Sequence, residues 1–205
     1  MAAMINSEQE QRIVDTARTL FIQKGYNATS MSDIAIEAGI NRPTLYYYFR
    51  TKERMFQAVF AGLVSKMLPK IDNILSDEMP FLHRVELILD HYMDMLIENP
   101  FIARFILGEA QRDVSHLLDE ARELHLDQRI SRLAEIMKKN MDEGKIRTVP
   151  ASIVFLTFYS SLIYPFLAKN LIVNLVLNDE QEFIPLMEQW KGYIYKQMCN
   201  LLDIS

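Results

Sequence analysis

Between Asn27 and Lys52 the chain gathers two arginines, three consecutive tyrosines and a lysine in one short run, N-A-T-S-M-S-D-I-A-I-E-A-G-I-N-R-P-T-L-Y-Y-Y-F-R-T-K. A guanidinium, an ammonium and phenolic hydroxyls are donors suited to phosphates and base edges, against which a tyrosine ring also packs. Aromatic residues at helical spacing are ordinarily core. Successive helix positions, however, lie about 100° apart, so Tyr46-Tyr47-Tyr48-Phe49 cannot share one face. Leu45 and Phe49, four apart, point inward, and at least two tyrosines must then lie near solvent beside Arg42, Thr44 and Lys52. Arg42 and Tyr46, also four apart, share an outward face.

The surrounding residues specify the elements that hold this face. Ser30 can cap a helix, and Asp33 at the third helical position approaches a capping box. Ile34, Ala35 and Ala38 turn one small apolar side inward. Gly39 suits a tight turn in which a positive φ penalises other residues. Ile40 plugs the corner, Asn41 caps the next helix, and Pro43 is tolerated in its first turn. Thr51 caps a further helix that Lys52 starts. Helix, glycine turn, short helix is a helix-turn-helix.

Helical periodicity continues to the end of the chain. Ile13, Ala17, Leu20 and Phe21 form one face of a first helix that Gly25 ends. Short helices are expected at about 31–38 and 42–49, and a longer one carries Phe56, Val59, Phe60 and Leu63. Pro80 and Pro100 read as first-turn residues of two more helices. A long charged helix is expected from Val114 to Met141, closed by Gly144, and Ala151–Ala168 and Gln181–Leu202 supply the last two. With no alternating strand pattern, repeat or low-complexity tract, the expected fold is all-α with about nine helices. The expected division is a helix-turn-helix DNA-binding domain over 1–52 and a helical domain over 53–205.

Composition agrees with a globular chain. Of 205 residues half are apolar and 24% charged, which is ordinary. The net charge of −5 looks unfavourable for phosphate contact, but residues 1–52 carry six basic against five acidic side chains, leaving the acidity to the remainder. The single cysteine, Cys199, excludes an internal disulfide framework and a cysteine zinc site. The polar, acidic start resembles no signal peptide, so a cytoplasmic location is expected. From Thr148 to Ala168 no residue is charged. Ser152, Thr157, Ser160, Ser161 and Pro165 interrupt the run, so a bundle core or dimer interface explains it better than a membrane span. Pro165 should kink this helix or end its regular part.

The run from Thr29 to Lys52 resembles the TetR family of bacterial repressors, whose signature is an I-A-x-x-A-G-[IV] helix and turn, an L-Y-x-[HY]-F recognition helix and a helix-starting lysine. The match covers about the first 60 residues. By resemblance, Ser30 and Ser32 contact backbone or bases, while Arg42, Pro43 and Tyr46 enter the major groove. Thr44, Tyr47, Tyr48 and Lys52 would hold phosphates. The resemblance further implies a variable regulatory domain with a small-molecule pocket, and a homodimer built from the last two helices that binds a palindromic operator in double-stranded DNA. One departure is plain: many members carry basic residues before the first helix, whereas this chain begins Met1-Ala-Ala-Met-Ile-Asn-Ser-Glu-Gln-Glu. Minor-groove readout by an arm is therefore not expected.

Other chemistries find less support. His83, His91, His116 and His125 lack the paired Glu-x-x-His of a bundle metal site, so no metal is expected and no cofactor. No glycine-rich phosphate loop, G-x-S-x-G elbow or H-E-x-x-H occurs, and no catalytic residue is assigned. An all-α enzyme would need a site without local motifs. A chromosome-organising protein with the same helix-turn-helix is the other alternative. Candidate effector contacts are Phe105, Glu109, Phe158 and Tyr159, where polar groups interrupt apolar faces. Twelve methionines suit an adaptable pocket for a largely apolar molecule. Two copies of the pair Ile153–Ala168 and Phe183–Leu202 would make an intermolecular four-helix bundle.

Overall fold

The computed structural model describes residues 2–65, 67–100 and 102–203, with side chains from Glu8 onward. Among these residues there are twelve α-helices, one 3-10 turn (Glu180–Glu182) and no strand. The all-α expectation holds, and the difference from about nine helices has local causes. The run expected as one helix over 114–141 is two, α8 (Val114–Glu123) and α9 (Leu126–Asp142), because His125 takes a left-handed φ of 55° that an α-helix cannot pass through. Two short helices, α5 (Leu68–Ser76) and α11 (Lys169–Leu175), were not anticipated. Pro80 lies one position outside α6 (Phe81–Glu98) as its N-cap, not in its first turn, and Pro100 precedes α7 (Ile102–Arg112).

Pro165 sits inside α10 (Ala151–Leu167), which ends two residues later and meets α11 at a bend of 67°. Proline cannot donate to the carbonyl four residues back. That carbonyl, on Ser161, instead accepts the indole N–H of Trp190 at 2.9 Å, so the orphaned acceptor is satisfied by α12 (Phe183–Leu202). Among the described residues no single helix is long and apolar enough to cross a membrane, although α10 and α11 together make a bent apolar pair.

The chain forms two compact units. The first comprises Met1–Lys66 and Arg104–Leu124. Within it α1 (Ala2–Lys24) packs on α2 (Met31–Glu37) and α4 (Lys52–Val64), and α3 (Arg42–Tyr48) packs on α2. Phe56 is its hub: the rings of Phe21, Tyr26, Phe60, Phe105 and His116 lie with centroids 5.1–6.4 Å away. Such offset and tilted pairs each add roughly 0.5–1.5 kcal/mol beyond area burial.

The second unit comprises Met67–Ala103 and His125–Ser205. Here α12 runs against α6 and α10, and α5 and α9 also pack on α6. Leu89, Met93, Leu96, Leu162, Phe183 and Leu202 are fully enclosed. The backbone N–H of Arg147 donates to the Leu202 carbonyl at 2.7 Å, tying the connection before α10 to the end of α12. These units follow packing. The boundary expected from sequence at 52/53 follows role instead.

Candidate nucleic-acid interface

The helix-turn-helix is assembled almost entirely from local caps. Ser30 Oγ accepts from the Asp33 backbone N–H at 3.1 Å, and Asp33 Oδ2 accepts from the Ser30 backbone N–H at 2.8 Å, a complete capping box. The Ser30 hydroxyl also donates to the same carboxylate at 2.6 Å, and these two bonds from Ser30 hold the Asp33 carboxyl below its ordinary pKa. The turn closes with the Ile40 N–H on the Ala35 carbonyl at 3.0 Å, and Gly39 has the positive φ, +66°, that the turn requires. Asn41 Oδ1 then accepts from the Thr44 N–H at 2.8 Å, and Thr51 Oγ1 from the Arg54 N–H at 3.2 Å.

These caps fix which face of α3 looks outward. Leu45 and Phe49 are buried, at 0% and 5% exposure. Arg42, Pro43, Tyr46 and Tyr47 are exposed, with Tyr46 at 48% and Tyr47 at 74%. Two of the three tyrosines therefore lie at solvent, as the 100° step between helix positions demands. The third, Tyr48, is half-buried; its hydroxyl donates to Gln9 Oε1 at 3.1 Å and its ring meets Tyr47 edge-on at 5.4 Å. Thr44, Ser32 and Lys52 are half-buried, and Ser30 is exposed with its hydroxyl engaged in the capping box.

Lys52 has surroundings that its sequence neighbours do not announce. Its Nζ stands 4.1 Å from the centroid of the Tyr26 ring, and the Arg112 guanidinium lies at the same distance from that ring. Tyr26 itself is buried and donates to Glu53 Oε1 at 3.1 Å; burial first, and then the Glu53 charge, push its pKa up to about 12. Burial and the Arg112 charge lower the pKa of Lys52. Arg112 is in turn held at 2.7 Å by Glu109. A cation over an aromatic face contributes roughly 0.5–2 kcal/mol, so the helix-starting lysine is linked through one ring to α7. Sequence reasoning missed this cluster because Tyr26 and Arg112 share no motif.

The four effector candidates separate by unit. Phe105 stacks on Phe56 at 5.1 Å, and Glu109 is buried against Arg112, both in the first unit. Phe158 and Tyr159 line a largely apolar cavity of about 160 Å³ in the second unit, bounded by α6, α9, α10 and Met198 of α12. Its polar feature is the Tyr159 hydroxyl, which donates to the Tyr92 hydroxyl at 3.0 Å. The histidines are dispersed: His83 pairs with Glu86 at 3.1 Å, and His116 lies against Phe56. Among the described residues no three metal-ligating side chains converge.

Comparison with known proteins bears directly on the N-terminal face. Residues 13–59 match the model of the bacterial regulatory proteins, tetR family. The uncharacterized HTH-type transcriptional regulator YfiR of Bacillus subtilis (strain 168) is 24% identical over 181 residues, covering 85% of this chain and 83% of that protein. The nucleoid occlusion factor SlmA of Mannheimia succiniciproducens is 28% identical over 106 residues, covering 52% of this chain and only 49% of its own length. Among solved structures, the transcriptional regulator FadR from Bacillus subtilis in complex with stearoyl-CoA matches with a TM-score of 0.66 at 17% identity. The match covers 90% of this chain and 97% of that one, which shows a shared fold.

Proposed function

We propose that this chain, a DNA-binding transcriptional regulator of the TetR family, acts in the cytoplasm as a repressor that holds a palindromic operator as a homodimer and answers to a small effector. The observation that carries the DNA-binding part is the outward face of α3, with Arg42, Pro43, Tyr46 and Tyr47 exposed on a helix anchored by buried Leu45 and Phe49. Arg42, Pro43 and Tyr46 would enter the major groove. Ser30 and Ser32 would meet backbone or bases, and Thr44, Tyr47, Tyr48 and Lys52 would hold phosphates. Residues 1–52 carry the reading role and 53–205 the effector and dimer roles. No catalytic step is assigned to the chain.

The two kinds of contact give different signatures. Arg42→Ala should relax base preference at one or two positions, at a cost of roughly 1–3 kcal/mol. Selection from a randomised DNA pool measures this, and a consensus identical to the wild type overturns the assignment. Lys52→Ala should weaken binding to all sequences alike and flatten the salt dependence by roughly one counterion per protomer. A titration of affinity against salt that returns the original slope removes Lys52 from the phosphate contacts.

The dimer reading is supported by α10 and α12. Ile153, Leu156 and Tyr164 stand out from α10 at 46%, 59% and 60% exposure, in a stretch without a charge, and Tyr193 of α12 is exposed at 66%. Two-fold pairing would set the half-sites roughly one helical turn apart or somewhat more. For the effector, the apolar cavity beside Phe158 and Tyr159 suits a small, largely apolar molecule. Such a ligand acts only by preferring one dimer geometry over another. The likeness to a nucleoid occlusion factor favours one second reading, a chromosome-organising DNA-binding protein with the same helix-turn-helix. Sequencing of DNA bound in cells separates the two: a few promoter sites support the regulator, and many dispersed ones support the alternative.

A further inference from the structure

Arg84 is 96% removed from solvent by the fold, at 4% exposure, on the α6 face that also buries Phe81, Val85 and Ile88. Its Nη2 donates to the Asp77 carbonyl at 2.8 Å. Its Nε and Nη1 are buried with no hydrogen-bond partner among the described residues. A buried cationic donor left unpaired is costly, and native structures rarely keep one without a reason. Arg84 lines a cleft of about 700 Å³ between the segment that enters α6 and the face of α9 from Arg132 onward, so Arg132 lines the same cleft. Burial, together with the positive charge of Arg132, lowers the pKa of Arg84.

The neighbouring cations show what a satisfied site looks like. Arg129, one turn before Arg132 on α9, makes a two-pronged contact with Asp72, Nε to Oδ1 and Nη2 to Oδ2, both at 2.7 Å. At the cleft rim Glu143 is engaged by Lys145 at 2.7 Å and Lys139 at 3.9 Å. Arg84 and Arg132 have no such carboxylate among the described residues; the side chain of Asp77 acts on Arg84 only through its charge. Two guanidiniums bordering one cleft, one of them buried with open N–H groups, make a receptor for an oxyanion. Phe81 lines both this cleft and the apolar cavity that holds Phe158 and Tyr159.

We propose that the second unit binds an amphipathic organic anion, whose carboxylate or phosphate is held by Arg84 and Arg132 while its apolar part enters the cavity beyond Phe81. This rests on the reading of that cavity as the effector site and gives the effector a charge. The acid accepts hydrogen bonds from Nε and Nη1 of Arg84 and gains the charge of Arg132. No proton or covalent bond changes hands.

Calorimetric titration of the full-length protein with hexanoate, hexyl phosphate and hexanol tests it. The two anions should bind saturably and roughly 10- to 100-fold more tightly than hexanol, and whichever binds tighter names the acid as carboxylate or phosphate. Arg84→Met and Arg132→Gln should each bring that preference down to near parity. Arg132 is exposed, so its variant keeps the test informative should Arg84→Met fail to fold. Arg84→Met should otherwise keep or raise the melting temperature of the ligand-free protein, since an unpaired buried charge is removed. Hexanol binding as tightly as the anions overturns the acid site and leaves the apolar effector reading standing. Anion binding that both variants retain, or the absence of saturable anion binding, overturns the proposal, as does an Arg84→Met protein that melts lower yet binds like the wild type.

Discussion

On the proposed two-fold pairing, replacing Leu156 by glutamate should leave the protein monomeric and lower affinity for a full palindrome by roughly 10²- to 10⁴-fold, the gain that linking two binding modules supplies. Leu156 stands 59% exposed on α10, between Ile153 and Tyr164, with Ser160 allowing close approach along the same stripe. A carboxylate placed at the centre of a two-fold contact meets its own copy and has no cation among the residues of that helix to pair with. Sedimentation velocity reports the association state, and fluorescence anisotropy reports binding to a full site and to a half-site. Affinity for the half-site should be nearly unchanged, since α3 is untouched. A variant that stays dimeric, or a monomer that grips the palindrome as before, removes α10 from the interface.

Leu45→Ala should cost about 2–5 kcal/mol of stability, the usual range for emptying a fully enclosed leucine site. Leu45 has 0% exposure, and no other residue within α3 is buried. Without it the seven-residue helix is left to Phe49 at its C-cap and to its Asn41 cap, and a helix of that length does not persist on propensity alone. Urea denaturation followed by circular dichroism measures the loss, and DNA binding should fall with it. A loss below about 1 kcal/mol places Leu45 outside the anchoring core. Tyr46→Ala supplies the contrast: at 48% exposure it should leave stability within about 0.5 kcal/mol while reducing DNA affinity.

The parts of this protein that were legible in its sequence are those built by neighbours. Ser30 with Asp33, Gly39, Asn41 and Thr51 act within four residues of themselves, so their types and spacing predict the caps and turn that the structure contains. The inward pair Leu45 and Phe49 follows from helical spacing in the same way. Sequence reasoning failed where one residue or one distant pair decided the outcome. His125 looks like an ordinary member of an amphipathic run, yet its left-handed φ splits α8 from α9. Phe105 and Glu109 read as candidate pocket residues because a charge interrupts an apolar stretch, and no local pattern announces that they meet Phe56 and Arg112 in the first unit. Arg84 did leave a signal, three residues from Phe81 on the core-facing stripe of α6, where a charged residue is seldom buried without a partner.

The hub at Phe56 bears on how such a regulator could be recombined. Its ring is enclosed by residues of two separate stretches of chain, Phe21, Tyr26 and Phe60 from the first and Phe105 and His116 from the second. The Gln57 amide reaches Glu120 at 2.7 Å across the same gap in sequence. A chimera that transplanted the N-terminal helices alone onto another regulator's body would therefore strip Phe56 of the Phe105 and His116 rings and leave Lys52 without the arginine that shares its tyrosine. The exchangeable cassette is bipartite: the headpiece travels intact only when residues 104–124 travel with it.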